Sequence, residues 1–201
     1  MPHKIDWFQH YQRKLDSLDF KTSDLNRFKS QNRALLRKIV SLKPRRIIEV
    51  GCGLARDSFV LASKGFNVTV LDRDSRIVEL AKRNSNNLGL HPKIIKGNFF
   101  HLQKIVKSNY DVAFHSGVLE HFNNEEIVKI LHQQLKIASV IIFSVPLESR
   151  FNEKYFKGKE KVFRRLLSEK VWLKILSDFH ILQAQTVHDR HDDLLIVLTR
   201  E

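Results

Sequence analysis

Residues 47–58 read Ile47-Ile48-Glu49-Val50-Gly51-Cys52-Gly53-Leu54-Ala55-Arg56-Asp57-Ser58, and the fold turns on this stretch. A short β-rich run ends in a glycine pair and passes directly into a helix start. Glycines at such a turn let the backbone approach a ligand closely, and the helix N-terminus behind them offers free N–H groups. Working outward, the same alternation recurs. Strands are expected at 46–50, 67–71, 93–96, 110–115 and 140–145, the last ended by Pro146. Helical patterns lie between them. Asp74 caps one in which Ile77, Leu80, Ala81, Asn84 and Leu88 share a face, and Asn123 with Glu126 forms a capping box ahead of Ile127, Ile130, Leu131 and Leu135.

Strand, helix, strand at this spacing predicts a parallel sheet covered by helices on both faces, a three-layer α/β/α sandwich. Upstream, Ser23-Asp24 reads as an N-cap for a helix carrying Leu25, Phe28, Leu35, Leu36, Ile39 and Leu42, stopped by Pro44. The tail departs from the alternation: a helix at 168–179 precedes strands at 181–187 and 194–199. The turn His188-Asp189-Arg190-His191-Asp192-Asp193 between them is too short for a crossover, so these two strands form an antiparallel hairpin and bring the sheet to seven strands. No linker interrupts the chain, which is read as one domain, 1–201, with an N-terminal helical arm (1–43) and an inserted segment (147–167).

Composition narrows the classes. The 201 residues are 42% hydrophobic and 28% charged, with 7 Gly and 4 Pro, which excludes collagen-like and largely disordered chains. The longest apolar stretch, 137–147, is broken by two serines and falls well short of the ~20 residues a membrane span needs. A single cysteine, Cys52, excludes an internal disulfide and Cys-rich zinc sites; with no targeting segment visible, a cytoplasmic location is expected. The net charge of +13 is uneven: residues 1–46 carry 12 Lys/Arg against 4 Asp/Glu and 147–174 carry 9 against 4, whereas 47–146 carry 12 against 9. Two basic segments that meet in space would favour an anionic partner.

In an open α/β sheet, ligands bind beyond the carboxyl ends of the strands where strand order reverses. Asp72 ends the second strand, 19 residues after Gly53, the distance at which a carboxylate can accept from both hydroxyls of a ribose. A dinucleotide fingerprint would place glycine at position 56, where this chain has Arg56, so NAD is disfavoured. No Gly-Lys-Ser/Thr follows the glycines, which excludes a P-loop.

Three stretches together resemble the class I S-adenosylmethionine-dependent methyltransferases, which are Rossmann-like: Glu49-Val50-Gly51-Cys52-Gly53, Val70-Leu71-Asp72, and residues 110–122 with Ser116-Gly117-Val118-Leu119-Glu120-His121-Phe122 at their end. The resemblance implies S-adenosylmethionine as cofactor. It places Gly51 and Gly53 against the methionine moiety and ribose, Glu49 near the amino group, Asp72 on the ribose hydroxyls and Arg73 beside the adenine. Asn98 stands where an acidic residue usually takes the adenine amine, Phe99 would cover the base, and Ser116 completes the cofactor-binding set. No metal is implied.

Methyl transfer from a sulfonium is an in-line displacement, so the protein aligns the nucleophile and, where needed, removes a proton. His121 is the first candidate base and His115 the second. The loop after the fourth strand lacks the Asn/Asp-Pro-Pro-aromatic run of enzymes that methylate base amines, and looks like the small-molecule branch. The expected acceptor is therefore a small metabolite, anionic by the charge argument. The interleaved basic and aromatic residues at 150–165 leave a nucleic-acid partner as the less favoured alternative. Trp7, Phe8, Tyr11 and the aromatics of 147–165 are expected to wall the acceptor pocket.

Calorimetry tests the cofactor directly: S-adenosylmethionine and its demethylated product should bind and NADH should not. The reverse pattern would contradict the reading of residues 49–73.

Overall fold

The computed structural model describes residues 6–15, 20–107, 109–157 and 164–200. Parts of the expected arm (1–5, 16–19) and of the inserted segment (158–163) lie outside them. Seven strands form one sheet: β1 (Arg46–Val50), β2 (Asn67–Asp72), β3 (Lys93–Lys96), β4 (Tyr110–Ser116), β5 (Ala138–Pro146), β6 (His180–His188) and β7 (Asp192–Thr199). Their order is β3-β2-β1-β4-β5-β7-β6. The first five are mutually parallel, and β7 runs antiparallel to both β5 and β6. Strand order therefore reverses between β1 and β4, and the ligand crevice opens beyond their carboxyl ends.

Alternate residues of each strand feed two cores. Ile48, Val50, Ala113, Ile141, Phe143 and Val145 face one side, where they pack under α6 (Leu102–Ile105), α7 (Asn124–Leu135) and α9 (Glu169–Ile175) with the fully buried Trp172. Ile47, Val68, Val70, Val112, Phe114 and Ile142 face the other, under α2 (Asp24–Gln31), α3 (Arg33–Ser41), α4 (Arg56–Ala62) and α5 (Ser75–Leu88). Two of the three helical caps read from sequence form: Asp74 accepts from Arg76 N, and Asn123 and Glu126 exchange the two bonds of a capping box.

The expected single helix between Ser23 and Leu42 is instead two. Asn32 leaves helical geometry (φ −134°, ψ 49°). Its side-chain amide donates to Asp57 Oδ2 of α4 at 2.6 Å, and Ala34 N donates to Asp189 Oδ2 of the β6–β7 turn at 2.6 Å, so bonds to elements distant in sequence hold the chain at the break. Ser23 does not cap α2, whose own first residue, Asp24, accepts from Lys21 N. The helix expected at 168–179 ends at Ile175, and the hairpin turn shrinks to 189–191 because β6 and β7 pair to His188 and Asp192.

Two helices flank the crevice. In α1 (Trp7–Leu15), Asp6 caps the first turn by accepting from Phe8 N and Gln9 N, and Arg76 joins Asp6 at 2.9 Å while also holding Asp74 at 2.7 Å. One guanidinium thus ties the starts of α1 and α5, with Phe8 4.9 Å beneath it. On the far side, α8 (Arg150–Phe156) follows β5. Its fully buried Asn152 donates to Leu147 O (2.8 Å) and Asp192 O (2.7 Å) and accepts from Asp192 N (3.2 Å), which clamps α8 to the hairpin turn.

Asn152→Ala removes three bonds and leaves buried backbone groups short of partners, so urea denaturation should show a loss of about 2–4 kcal/mol. A loss below about 0.5 kcal/mol would mean that the hairpin turn is held without it.

Candidate active site at the β1–β4 crevice

The turn after β1 is set by backbone. Gly51, Gly53 and Ala55 all adopt positive φ (74°, 51° and 54°), and the amides of Gly51 and Cys52 both donate to Leu71 O of β2. Ala55 sits in the left-handed region that glycine takes at no steric cost, which is a local strain. Asp72 completes the loop, with Oδ2 accepting from Gly53 N (3.2 Å) and Oδ1 from Asp74 N (3.1 Å). Burial pushes its carboxyl above the usual range, against the pull of these N–H groups.

Two adjoining cavities occupy the crevice. The smaller, about 50 Å³, is lined by Gly51, Gly53, Asp72, Arg73, Phe99 and Val118, together with Trp7, Tyr11 and His121. The larger, about 140 Å³, shares Gly51, Trp7, Tyr11 and His121 with it and extends past Glu49, Ser116 and Glu120 to Arg56, Arg164 and Arg190. Of the residues singled out in the sequence, Glu49, Gly51, Gly53, Asp72, Arg73, Phe99, Ser116 and His121 all line one cavity or both.

The donor set suits an S-adenosylmethionine-like ligand. Glu49 Oε2 is buried and, among the described residues, lacks a hydrogen-bond partner, while lining the larger cavity where an amino group could reach it. Burial, reinforced by neighbouring Asp57, pushes the Glu49 carboxyl well up; burial also raises Asp57, to about 6, against the bond from Asn32. Room is the constraint. A void of about 150 Å³ is what benzene fills, so 50 Å³ is too little for a nucleoside. The obstruction is Tyr11, whose ring lies on Gly53 so closely that a Cβ there would run into its Oη and stand 2.6 Å from Cζ. Seating a nucleoside requires this face of α1 to shift.

Three expected residues are placed differently. Asn98 lines neither cavity, and its carbonyl oxygen accepts from Phe100 N at 3.0 Å as the cap of a 3-10 turn. His115 is fully buried, stacks on Phe143 (centroids 5.0 Å, 19°) and lines neither cavity. Among the described residues neither of its ring nitrogens has a partner, and burial drives its pKa down to about 3, so it is a neutral core residue at physiological pH. Phe8 packs beside Arg76 and does not wall the pocket.

His121 lies where expected. It packs edge-on against Trp7 (4.7 Å), and its Nε2 is 3.6 Å from Glu120 Oε1, which is also 3.7 Å from Arg164 Nε. Arg165 holds this loop by donating to Phe122 O and Asn124 Oδ1 at 2.8 Å each. Sequence reasoning missed Arg56 and Arg190 as cavity residues. Position 56 registered there only as a missing glycine, and nothing local in the hairpin turn marks Arg190.

The strand order, the antiparallel β7 and the loops gathered beyond β1, β2 and β4 define the architecture of class I S-adenosylmethionine-dependent methyltransferases. The sequence matches the methyltransferase domain family over residues 42–180, and the chain belongs to that family. Among curated proteins no sequence match is found. Solved structures show the same fold. A magnesium protoporphyrin IX methyltransferase from Synechocystis with bound S-adenosylhomocysteine is 19% identical (TM-score 0.69; 89% of this chain, 86% of that one). A protein from Pyrococcus horikoshii is 13% identical (TM-score 0.75; 96% and 99%), and a mitomycin 7-O-methyltransferase is 18% identical (TM-score 0.65; 79% and 50%). No helix among the described residues is long and apolar enough to cross a membrane.

Asp72→Ala should weaken binding of S-adenosylhomocysteine by about 1.5–3 kcal/mol, the range for hydrogen bonds to a charged acceptor. An unchanged dissociation constant in a folded variant would reduce Asp72 to a brace for Gly53 and Asp74.

Proposed function

We propose that the protein transfers a methyl group from S-adenosylmethionine to an oxygen, nitrogen or activated carbon of a small anionic metabolite. The observation that carries this reading is the larger cavity: it opens from the glycine loop, is walled by aromatic residues of α1 and α8, and is lined by three arginines. When bound, the cofactor supplies an electrophilic methyl group. Asp72 would hold the ribose hydroxyls, Glu49 the amino group, and Arg73 and Phe99 the base. Gly51 and Gly53 leave the backbone bare beside them, and Ser116, bonded to Ser144 at 2.9 Å, lines the larger half. His121 faces both halves, which suits it to take a proton from the acceptor, with Glu120 favouring the imidazolium that results.

Helix α1 acts as a lid against the fixed wall of α8. Trp7, His10 and Tyr11 meet Tyr155, Phe156 and Arg164 across one cavity, and closing α1 over the acceptor excludes water and fixes its alignment. The arginines favour a small acceptor over nucleic acid, because Arg164 is only 14% exposed and Arg56 is turned inward, whereas tracking along a phosphate backbone needs outward-facing charge. The magnesium protoporphyrin IX and mitomycin enzymes, by their names, also act on small molecules.

Incubating the protein with a cell extract and methyl-labelled cofactor should place the label in the small-molecule fraction. His121→Gln should lower the turnover number by roughly 10²–10⁴-fold at saturating cofactor. Label in RNA, DNA or protein, or activity that falls a thousandfold between about 50 and 200 mM salt, would overturn the small-acceptor reading.

A further inference from the structure

We propose that Arg56 and Arg190 form a carboxylate clamp, so that the methyl acceptor is a small carboxylic acid whose anionic group lies between the two guanidiniums. This rests on the reading of the larger cavity as the acceptor half of a methyltransferase site.

Each arginine is anchored at one point and open elsewhere. Arg56 opens α4 and reaches back to α2, donating from Nη1 to Gln31 Oε1 at 2.7 Å. Arg190 projects from the β6–β7 turn and donates from Nε to Tyr155 Oη at 2.9 Å. That turn is itself fixed. Asp189 accepts from Ala34 N, and Asp192 accepts from Ser149 Oγ and lies 2.7 Å from His188 Nδ1. Two side chains 134 positions apart in sequence are thus delivered to one cavity by well-braced supports.

Among the described residues neither guanidinium lies within ion-pairing distance of a carboxylate, although Arg190 is near enough to oppose the charge on Arg56. Asp57 attracts Arg56 but gives its Oδ2 to Asn32. Arg164 differs, because it sits over Phe156 (4.1 Å) and beside Glu120. Holding two cations together without a counter-ion is costly, and an anion between them removes that cost. Forked guanidiniums present paired donors in the geometry a carboxylate accepts.

The rest of the lining selects a single negative charge. Glu49, Asp57, Glu120 and Asp193 border the same cavity, so a dianionic phosphate would meet about twice the repulsion that a carboxylate meets. Tyr155, Phe156 and His191 pack against one another on one wall, at 4.9–5.2 Å between centroids, and Trp7 and Tyr11 stand on the other. Once the shift of α1 widens this cavity beyond its present volume of about 140 Å³, an apolar, flat body would lie between these walls with its acid group on the arginines.

The test uses full-length protein saturated with S-adenosylhomocysteine, titrated with acetate, benzoate and 4-hydroxybenzoate, and with benzamide and phenyl phosphate as controls. At least one carboxylate should bind, with benzamide and phenyl phosphate weaker by tenfold or more. Arg56→Gln and Arg190→Gln should each lower the carboxylate affinity by roughly ten- to a hundredfold, measured on each variant's own saturated form. Arg190→Lys, which keeps the charge but not the fork, should fall between. The proposal is overturned if benzamide binds as well as benzoate, if phenyl phosphate is preferred, if no carboxylate binds, or if the variants match the wild type. Failure of the wild type to bind S-adenosylhomocysteine at all would overturn the underlying methyltransferase reading as well.

Discussion

The crevice depends on how the turn after β1 is tied to the end of β2. The amides of Gly51 and Cys52 share Leu71 O, and the amide of Gly53 rests on the Asp72 carboxylate. These bonds hold three positive-φ residues in a space of five, including an alanine in a conformation that costs a non-glycine residue roughly 1–2 kcal/mol. The turn cannot relax toward ordinary backbone without breaking them. Because the same carboxylate braces the turn and faces the cavity, the group proposed to hold the ribose is already ordered before a ligand arrives, which would reduce the entropy lost on binding.

Around this fixed centre the chain assembles walls from distant places. α1 is held by Asp6 and Arg76 at its start and brings Trp7 and Tyr11 beside the turn; α8 and the β6–β7 turn are locked together through Asn152 and Asp192. The sheet needs neither α1 nor α8 for its pairing. The contrast in attachment matters for dynamics: α1 is joined to the rest by the Arg76 guanidinium and by partly buried Trp7, Phe8 and Tyr11, while the hairpin side is pinned by buried hydrogen bonds. Exposed ion pairs contribute little, so the α1 side is the one that can open. Tyr11 rests on Gly53, so the proposed seating of a nucleoside beside Asp72 requires that opening.

The strands, the two helix caps and the glycine loop were legible in the sequence because each is a local pattern: alternation, a capping residue at a fixed offset, glycine where φ must be positive. The membership of Glu49, Asp72 and His121 in one site was legible because strand ends meet by topology. What was not legible is tertiary. The break at Asn32 arises from bonds to Asp57 and Asp189, neither near in sequence. Asn98 has the chemistry to meet a base but spends its oxygen on Phe100 N, and His115 follows the strand's alternation into the core. Arg56 was visible only as a departure from another motif, and Arg190 acquires its place from the braced hairpin turn.

A crystal structure of the protein with S-adenosylhomocysteine tests the central claim most directly. The account predicts the ribose hydroxyls on Asp72, the sulfur directed into the arginine-lined half of the crevice, and Tyr11 displaced from Gly53. A nucleoside bound away from Asp72, or a sulfur pointing out of the arginine-lined half with Tyr11 still on the glycine, would contradict it.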